Sequence, residues 1–171
     1  MKAIRKSSFL AVASVLVAVS FGVLAYYSTR PATAVARGGD GDSVAARLGG
    51  VDGIRAFLET KVVPAELADP EIGPFFAKLT ETPGDIEDCL ARLLDHDLGG
   101  VSAKNGTMTA TGHICRSSMS GVHHDMGITD HAFTRFIQIV GEQAAAAGVA
   151  KADIEAVAKR LETYRGSIVR N

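Results

Sequence analysis

Thr82-Pro83 and Gly99-Gly100 bracket the segment that most restricts how this chain folds. Thr82 is a side-chain cap, and Pro83 suits the first helical position, where its missing N–H would have had no partner. Asp85, Glu87 and Asp88 meet the positive end of the helix dipole. Ile86, Leu90, Leu93, Leu94 and Leu98 then share one broad apolar face, with Cys89 on its shoulder, until the two glycines stop the helix. A face that wide must be covered. No stretch alternates with period two, and there is no hairpin signal or internal repeat, so the cover must be helical and the expected fold class is all-α.

The neighbouring segments supply it. Ser43 caps a short helix from Val44 to Leu48, which Gly49-Gly50 stops. Val51, Ile54, Phe57, Leu58, Val62 and Leu67 mark a second helix, which Pro64 is expected to kink or end near Val63. Asp69-Pro70 closes that element, and Ile72-Gly73-Pro74-Phe75-Phe76 forms a tight apolar corner. From Val101 to Ser118 no periodicity appears, which predicts a long loop carrying His113 and Cys115. Thr129 caps a helix whose face is Phe133, Phe136, Ile137 and Val140 and which ends over Ala144 to Gly148. A last helix is expected from about Ala152 to Val169, presenting Ile154, Val157, Leu161, Tyr164 and Ile168.

Composition narrows the function classes. A chain of 171 residues, 47% apolar and 22% charged, holds one ordinary core. Its 18 basic residues nearly balance 19 acidic ones, and it has no Trp, so neither the charge nor the stacking surface of a nucleic-acid binder is present. Lys2, Arg5 and Lys6 precede an uncharged run from Ser7 to Thr29, the order of an export signal. Residues 1–36 are expected to be either a signal cleaved after Ala34-Val35-Ala36 or a membrane anchor over roughly Phe9 to Tyr27, with a linker to about residue 42. Both outcomes place the domain, residues 43–171, outside the cytoplasm, in the periplasm or on the extracytoplasmic face of the membrane. There Cys89 and Cys115 have two fates, one disulfide or two free thiols. No C-x-x-C-H sequence occurs, so a covalent c-type haem is not expected, and no spacing suits structural zinc.

The chemistry concentrates at Met119 to Phe136. His123 stands in a turn closed by Gly127 and followed by the helix capped by Thr129, which suits a neutral imidazole holding a metal through one nitrogen while a carbonyl fixes the other. His131, eight residues past His123 and beyond Gly127, reads as an exposed residue in the first turn of the next helix, and His96, between Asp95 and Asp97, as part of a solvated turn.

Four landmarks stand in order: Arg47-Leu48-Gly49-Gly50, Leu67-Ala68-Asp69-Pro70 ahead of Phe75-Phe76, Leu98-Gly99-Gly100, and Met119-x-x-x-His123-x-x-x-Gly127-Ile128-Thr129 with Phe133 beyond. Together, over about Ser43 to Val169, they resemble the truncated haemoglobins, and more closely group 1 of these two-over-two helical globins. The resemblance implies a non-covalent haem b whose iron is held on its proximal side by His123. It places Phe76, Ile86 and Leu90 against the porphyrin and Met119, Phe133 and Phe136 in the proximal pocket.

The departures bear on ligand choice. Where many group 1 members carry a distal tyrosine this chain has Val63, and the distal positions often held by polar groups become Ile86 and Leu90, leaving Cys89 as the nearby heteroatom. An apolar distal pocket of Val63, Ile86, Cys89 and Leu90 is therefore expected, one that favours nitric oxide and carbon monoxide over oxygen unless the loop delivers His113 or Cys115. The function expected is binding of a diatomic gas. The alternatives are a haem enzyme, peroxidase-like or a nitric oxide dioxygenase that would need a reductase; an electron carrier with both axial sites filled, Cys89 included; and a haem-free helical interaction domain.

Overall fold

A computed structural model describes residues 42–79, 81–103, 106–116 and 118–170. The expected export segment, 1–36, and most of its linker lie outside the described residues. Among the described residues no helix is long and apolar enough to cross a membrane.

Ser43 opens the fold by accepting the Ala46 N–H at 3.1 Å, which caps α1, Val44–Arg47. Gly49, at φ 87°, turns the chain into α2, Gly50–Phe57, through a backbone state that side-chain-bearing residues rarely adopt. The expected break at Pro64 takes another form. A π-helical turn, Leu58–Val62, runs directly into α3, Val63–Ala68. The wider turn opens the hydrogen-bond ladder where Pro64 has no N–H to give and where its ring would press on the Thr60 carbonyl. The helix thus passes through the proline instead of ending at it.

The apolar corner holds a short α4, Gly73–Phe76. Then α5, Pro83–Asp97, is capped by Thr82, whose hydroxyl accepts the Asp85 N–H at 3.2 Å. A single turn of helix, α6, Met119–Val122, leads to α7, Asp130–Ala146, where Thr129 accepts the Ala132 N–H at 3.1 Å. The apolar pattern from Ala152 to Val169 reads as one helix, but the structure divides it into α8, Lys151–Glu162, and α9, Arg165–Ile168. At the break the Thr163 hydroxyl donates to the Arg160 carbonyl at 2.7 Å, and the Tyr164 hydroxyl donates to Asp97 on α5.

These elements form two layers. α2 packs on α5, and α7 packs on α8. Ile54, Leu58, Val62, Ala91, Leu94, Val140 and Leu161 fill the space between them, and a second cluster of Ile72, Ala132 and Ile139 lies under α4; Phe136 touches both. Ion pairs tie the edges, Arg47 to Asp153 at 2.6 Å and Arg55 to Asp88 at 2.5 Å.

The loop after α5 is more ordered than its composition suggests. An antiparallel β-bridge pairs Met108 with Ile114, and a disulfide joins Cys115 to Cys89 on α5 with their Cα atoms 5.3 Å apart. Of the two fates open to the cysteines, the structure shows the disulfide. Cys89 is therefore not a free thiol, and the alternative in which it fills an axial site on iron falls away.

Candidate functional site

α6 ends at His123. Ser118 caps it by accepting the Gly121 N–H at 3.2 Å, and the helix ends after one turn with His123 as its last, half-helical residue. Gly127, at φ 67°, closes the turns that follow, so the helix end lies ahead of the glycine and not at it. The Met119 carbonyl then accepts twice from His123, from its backbone N–H at 3.2 Å and from its ring Nδ1–H at 2.8 Å. A carbonyl only accepts, so Nδ1 carries the proton and Nε2 keeps a lone pair. Burial lowers the imidazole pKa below its usual value of 6.5, against a smaller opposing effect of the Met119 carbonyl. The ring is a neutral imidazole already oriented by its own backbone, with Nε2 free to meet a metal.

His123 lines a cavity of about 270 Å³ between α3, α4, α5, α6 and α7. Phe76, Ile86, Leu90, Met119, Phe133 and Phe136 line it as well. The other histidines separate clearly. His113 reaches the cavity from the loop, whereas His124 meets Asp125 at 2.6 Å, His131 meets Glu71 at 3.1 Å, and His96 bonds the Ser102 carbonyl at 3.1 Å. Among the described residues no group of three or more His, Cys, Asp or Glu is placed to hold a metal ion. One histidine in a carbon-lined cavity suits instead a metal that brings most of its own ligands inside a flat apolar frame. A second cavity, about 410 Å³, lies among Ile54, Leu94, Val140 and Val157, and its charged groups, Arg47 and Asp153, are spent on each other.

No protein-family profile matches the sequence, and no curated protein sequence matches it. Solved structures do. A truncated haemoglobin from Tetrahymena pyriformis, in its Fe(III) form, aligns with a TM-score of 0.63 at 21% identity, covering 76% of this chain and all of that one (100%). A 2/2 haemoglobin from a Synechococcus species, in the cyanomet state with covalently attached haem, aligns with a TM-score of 0.62 at 20% identity, covering 75% of this chain and 99% of its own. The chain has the truncated-globin fold.

Within this truncated-globin fold, the residues expected to form the distal pocket divide. Ile86, Cys89 and Leu90 line the cavity; Val63 is buried but is not among the lining side chains. The side chain that α3 contributes is Glu66, three residues on, 5% exposed and with no hydrogen-bond partner for Oε1. Burial alone pushes its carboxyl from 4.5 up to about 8. Asp85 also lines the cavity, and His113 and Arg116 bring further polarity from the loop. The cavity is thus not the wholly apolar pocket that Val63, Ile86 and Leu90 led one to expect.

Sequence reasoning passed over Glu66 because an acid on an amphipathic helix normally belongs to its wet face. A signal was available in the spacing. Leu58, Val62 and Glu66 fall four residues apart and are 2%, 0% and 5% exposed, so Glu66 continues a buried stripe.

Proposed function

We propose that this chain binds haem non-covalently through His123 Nε2 and offers the iron to a small diatomic ligand. The observation that carries the proposal is the Nδ1–H bond to the Met119 carbonyl at 2.8 Å, which fixes both the tautomer and the ring of a histidine set in a carbon-lined cavity. The residues present fit such a group. Phe76, Ile86 and Leu90 offer apolar faces for a porphyrin; Met119, Phe133 and Phe136 fill the histidine side, and exposed Arg116 supplies a cation for acidic substituents at the rim. When bound, haem would supply an iron that takes oxygen, nitric oxide or carbon monoxide. The protein's own part is to orient one nitrogen, exclude water with aromatic and aliphatic side chains, and set the polarity that the ligand meets.

The test is haem reconstitution of the purified chain. A Soret band is expected for wild type, and haem should leave into organic solvent on acidification, as befits a chain without C-x-x-C-H. His123→Ala should lose the band or shift it strongly; an unchanged spectrum would rule out His123 as the ligand.

The same reading places the domain outside the cytoplasm. Its supports are the charge-then-apolar order from Lys2 to Thr29 and the Cys89–Cys115 disulfide, a bond that persists in oxidising compartments. Protease added to intact cells with a permeabilised outer envelope should then digest the domain, whereas a protected domain would argue for retention inside.

A further inference from the structure

Glu66 plays no part in the haem reading above, yet the fold buries it in the cavity wall. Its relative exposure is 5%, its Oε1 meets no donor, and it stands on a stripe whose other members, Leu58 and Val62, are plain core. Among the described residues no cation pairs with it, and burial is the sole influence on its carboxyl. Arg135 of α7 is held by Asp69 at 2.9 Å and by Glu142 at 3.0 Å. His131, at the start of α7, is exposed and held by Glu71, and α4 carries no ionisable side chain. Lys61 and Glu59 in the π turn point to solvent, and Glu87 of α5 feels Glu59. The same cavity is also lined by Glu81, His113, Arg116, His123, Tyr164 and an Asp85 carboxylate already taken by threonine hydroxyls. An ionised carboxylate at Glu66 would be buried and unpaired; a neutral carboxylic acid is instead an O–H donor without an acceptor.

We propose that Glu66, carrying its proton, is the hydrogen-bond donor to a negatively polarised ligand bound in the cavity, so that ligand binding is coupled to protonation of this one carboxyl. The proposal rests on the haem reading above. Its ligand class is the small anion or polarised diatomic whose outer atom bears negative charge, such as fluoride on ferric iron or oxygen on ferrous iron. Carbon monoxide, whose outer atom is nearly neutral, should gain little. The expected preference against oxygen, derived from Val63, Ile86 and Leu90, is therefore offset below the pH at which Glu66 ionises, which burial places at about 8.

The full chain reconstituted with ferric haem provides the experiment, with fluoride as probe. Fluoride affinity is measured from about pH 6 to about pH 10 for wild type, Glu66→Gln and Glu66→Leu, a span that brackets the ionisation of a buried acid. The amide keeps a donor that does not titrate, the leucine has none, and all three proteins share competition from hydroxide at the iron, so the ratios isolate the side chain. Wild type should match Glu66→Gln at the acid end and fall about tenfold to a hundredfold below it at the alkaline end, the worth of a hydrogen bond to a charged acceptor. Glu66→Leu should be weaker by a similar factor throughout.

A second measurement needs no haem. The infrared difference between wild type and Glu66→Gln in the haem-free chain near neutral pH should contain the carbonyl stretch of a protonated carboxylic acid. A normal Soret band with wild type tracking Glu66→Leu at every pH would overturn the proposal alone, as would the absence of the carboxylic-acid stretch. Absence of a Soret band in all three proteins would instead bring down the haem reading and this proposal with it.

Discussion

Glu66 and Asp85 line the same cavity and are equally hidden, each 5% exposed, yet their carboxyls move in opposite directions. Asp85 is surrounded by hydroxyls. Thr82 donates to its Oδ2 at 2.7 Å, Thr109 donates to Oδ1 at 2.6 Å, and Thr111 donates to Oδ1 as well. These bonds stabilise the charged form and hold the Asp85 carboxyl far below its usual 3.8, with His113 adding a smaller attraction. Glu66 has no such donors, and burial alone drives it upward. Depth therefore does not decide the charge of a buried acid; the donors brought to it do. Hydroxyl donors favour the charged form of Asp85, which binds a loop, whereas burial favours the protonated form of Glu66.

The largest expected effect breaks this comparison on the Glu66 side. With a folded pKa near 8 against 4.5, the native state keeps a proton that the unfolded chain loses, so stability is complete below pH 4.5 and declines as pH rises toward 8. The shift corresponds to a loss on the order of 4 kcal/mol across that window. Urea unfolding of the haem-free chain should show the wild-type midpoint falling over this range. Glu66→Gln should remove most of the fall, and equal slopes in the two proteins would mean that Glu66 titrates as an exposed acid does.

The same contrast explains what could be read from the sequence. The α5 helix was legible from Thr82, Pro83 and the paired glycines because a helix's signals are local: a cap, a fixed φ, a stripe. The turn that holds the His123 ring was legible for a similar reason, since the Met119 carbonyl that orients it is four residues away. The loop was not. Thr109 and Thr111 find Asp85 across 24 and 26 residues, and Cys115 finds Cys89 across 26, so no period marks them. The division between α8 and α9 was hidden likewise, because Tyr164 is drawn to Asp97, 67 residues back. Glu66 lay between these cases. Its stripe was visible, but its residue type argued for water.

The next effect removes the covalent half of the loop's attachment. Replacing Cys89 and Cys115 together by serine frees a closure of 26 residues, and the entropy returned to the unfolded chain should lower stability by about 3 kcal/mol. The comparison sharpens if the threonines depend on that bond. With the loop released, Asp85 should lose donors from Thr109 and Thr111 and its carboxyl should move back toward 3.8, while Glu66, on α3, keeps its raised value. Carboxyl titration followed by NMR distinguishes the two acids; a change at Glu66 and none at Asp85 would show that the disulfide serves the other wall.

The smallest effect falls on Asp85 itself, and its sign is opposite to that of Glu66. A carboxyl whose folded pKa lies below its unfolded 3.8 contributes stability that is present above pH 3.8 and is lost as pH falls through the folded value. Asp85→Asn removes the charge but keeps a carbonyl oxygen for the threonines, so the variant should be less stable than wild type at neutral pH. In acid the advantage of the charged form disappears, and the two urea midpoints should converge. Adding Glu66→Gln should leave that convergence unchanged, because the two acids act on different elements, α5 and α3, and share no hydrogen-bonding partner among the described residues. Midpoints that stay apart in acid would mean that Asp85 supports the fold through packing and not through its charge, and the two walls of the cavity would differ less than their hydrogen bonds imply.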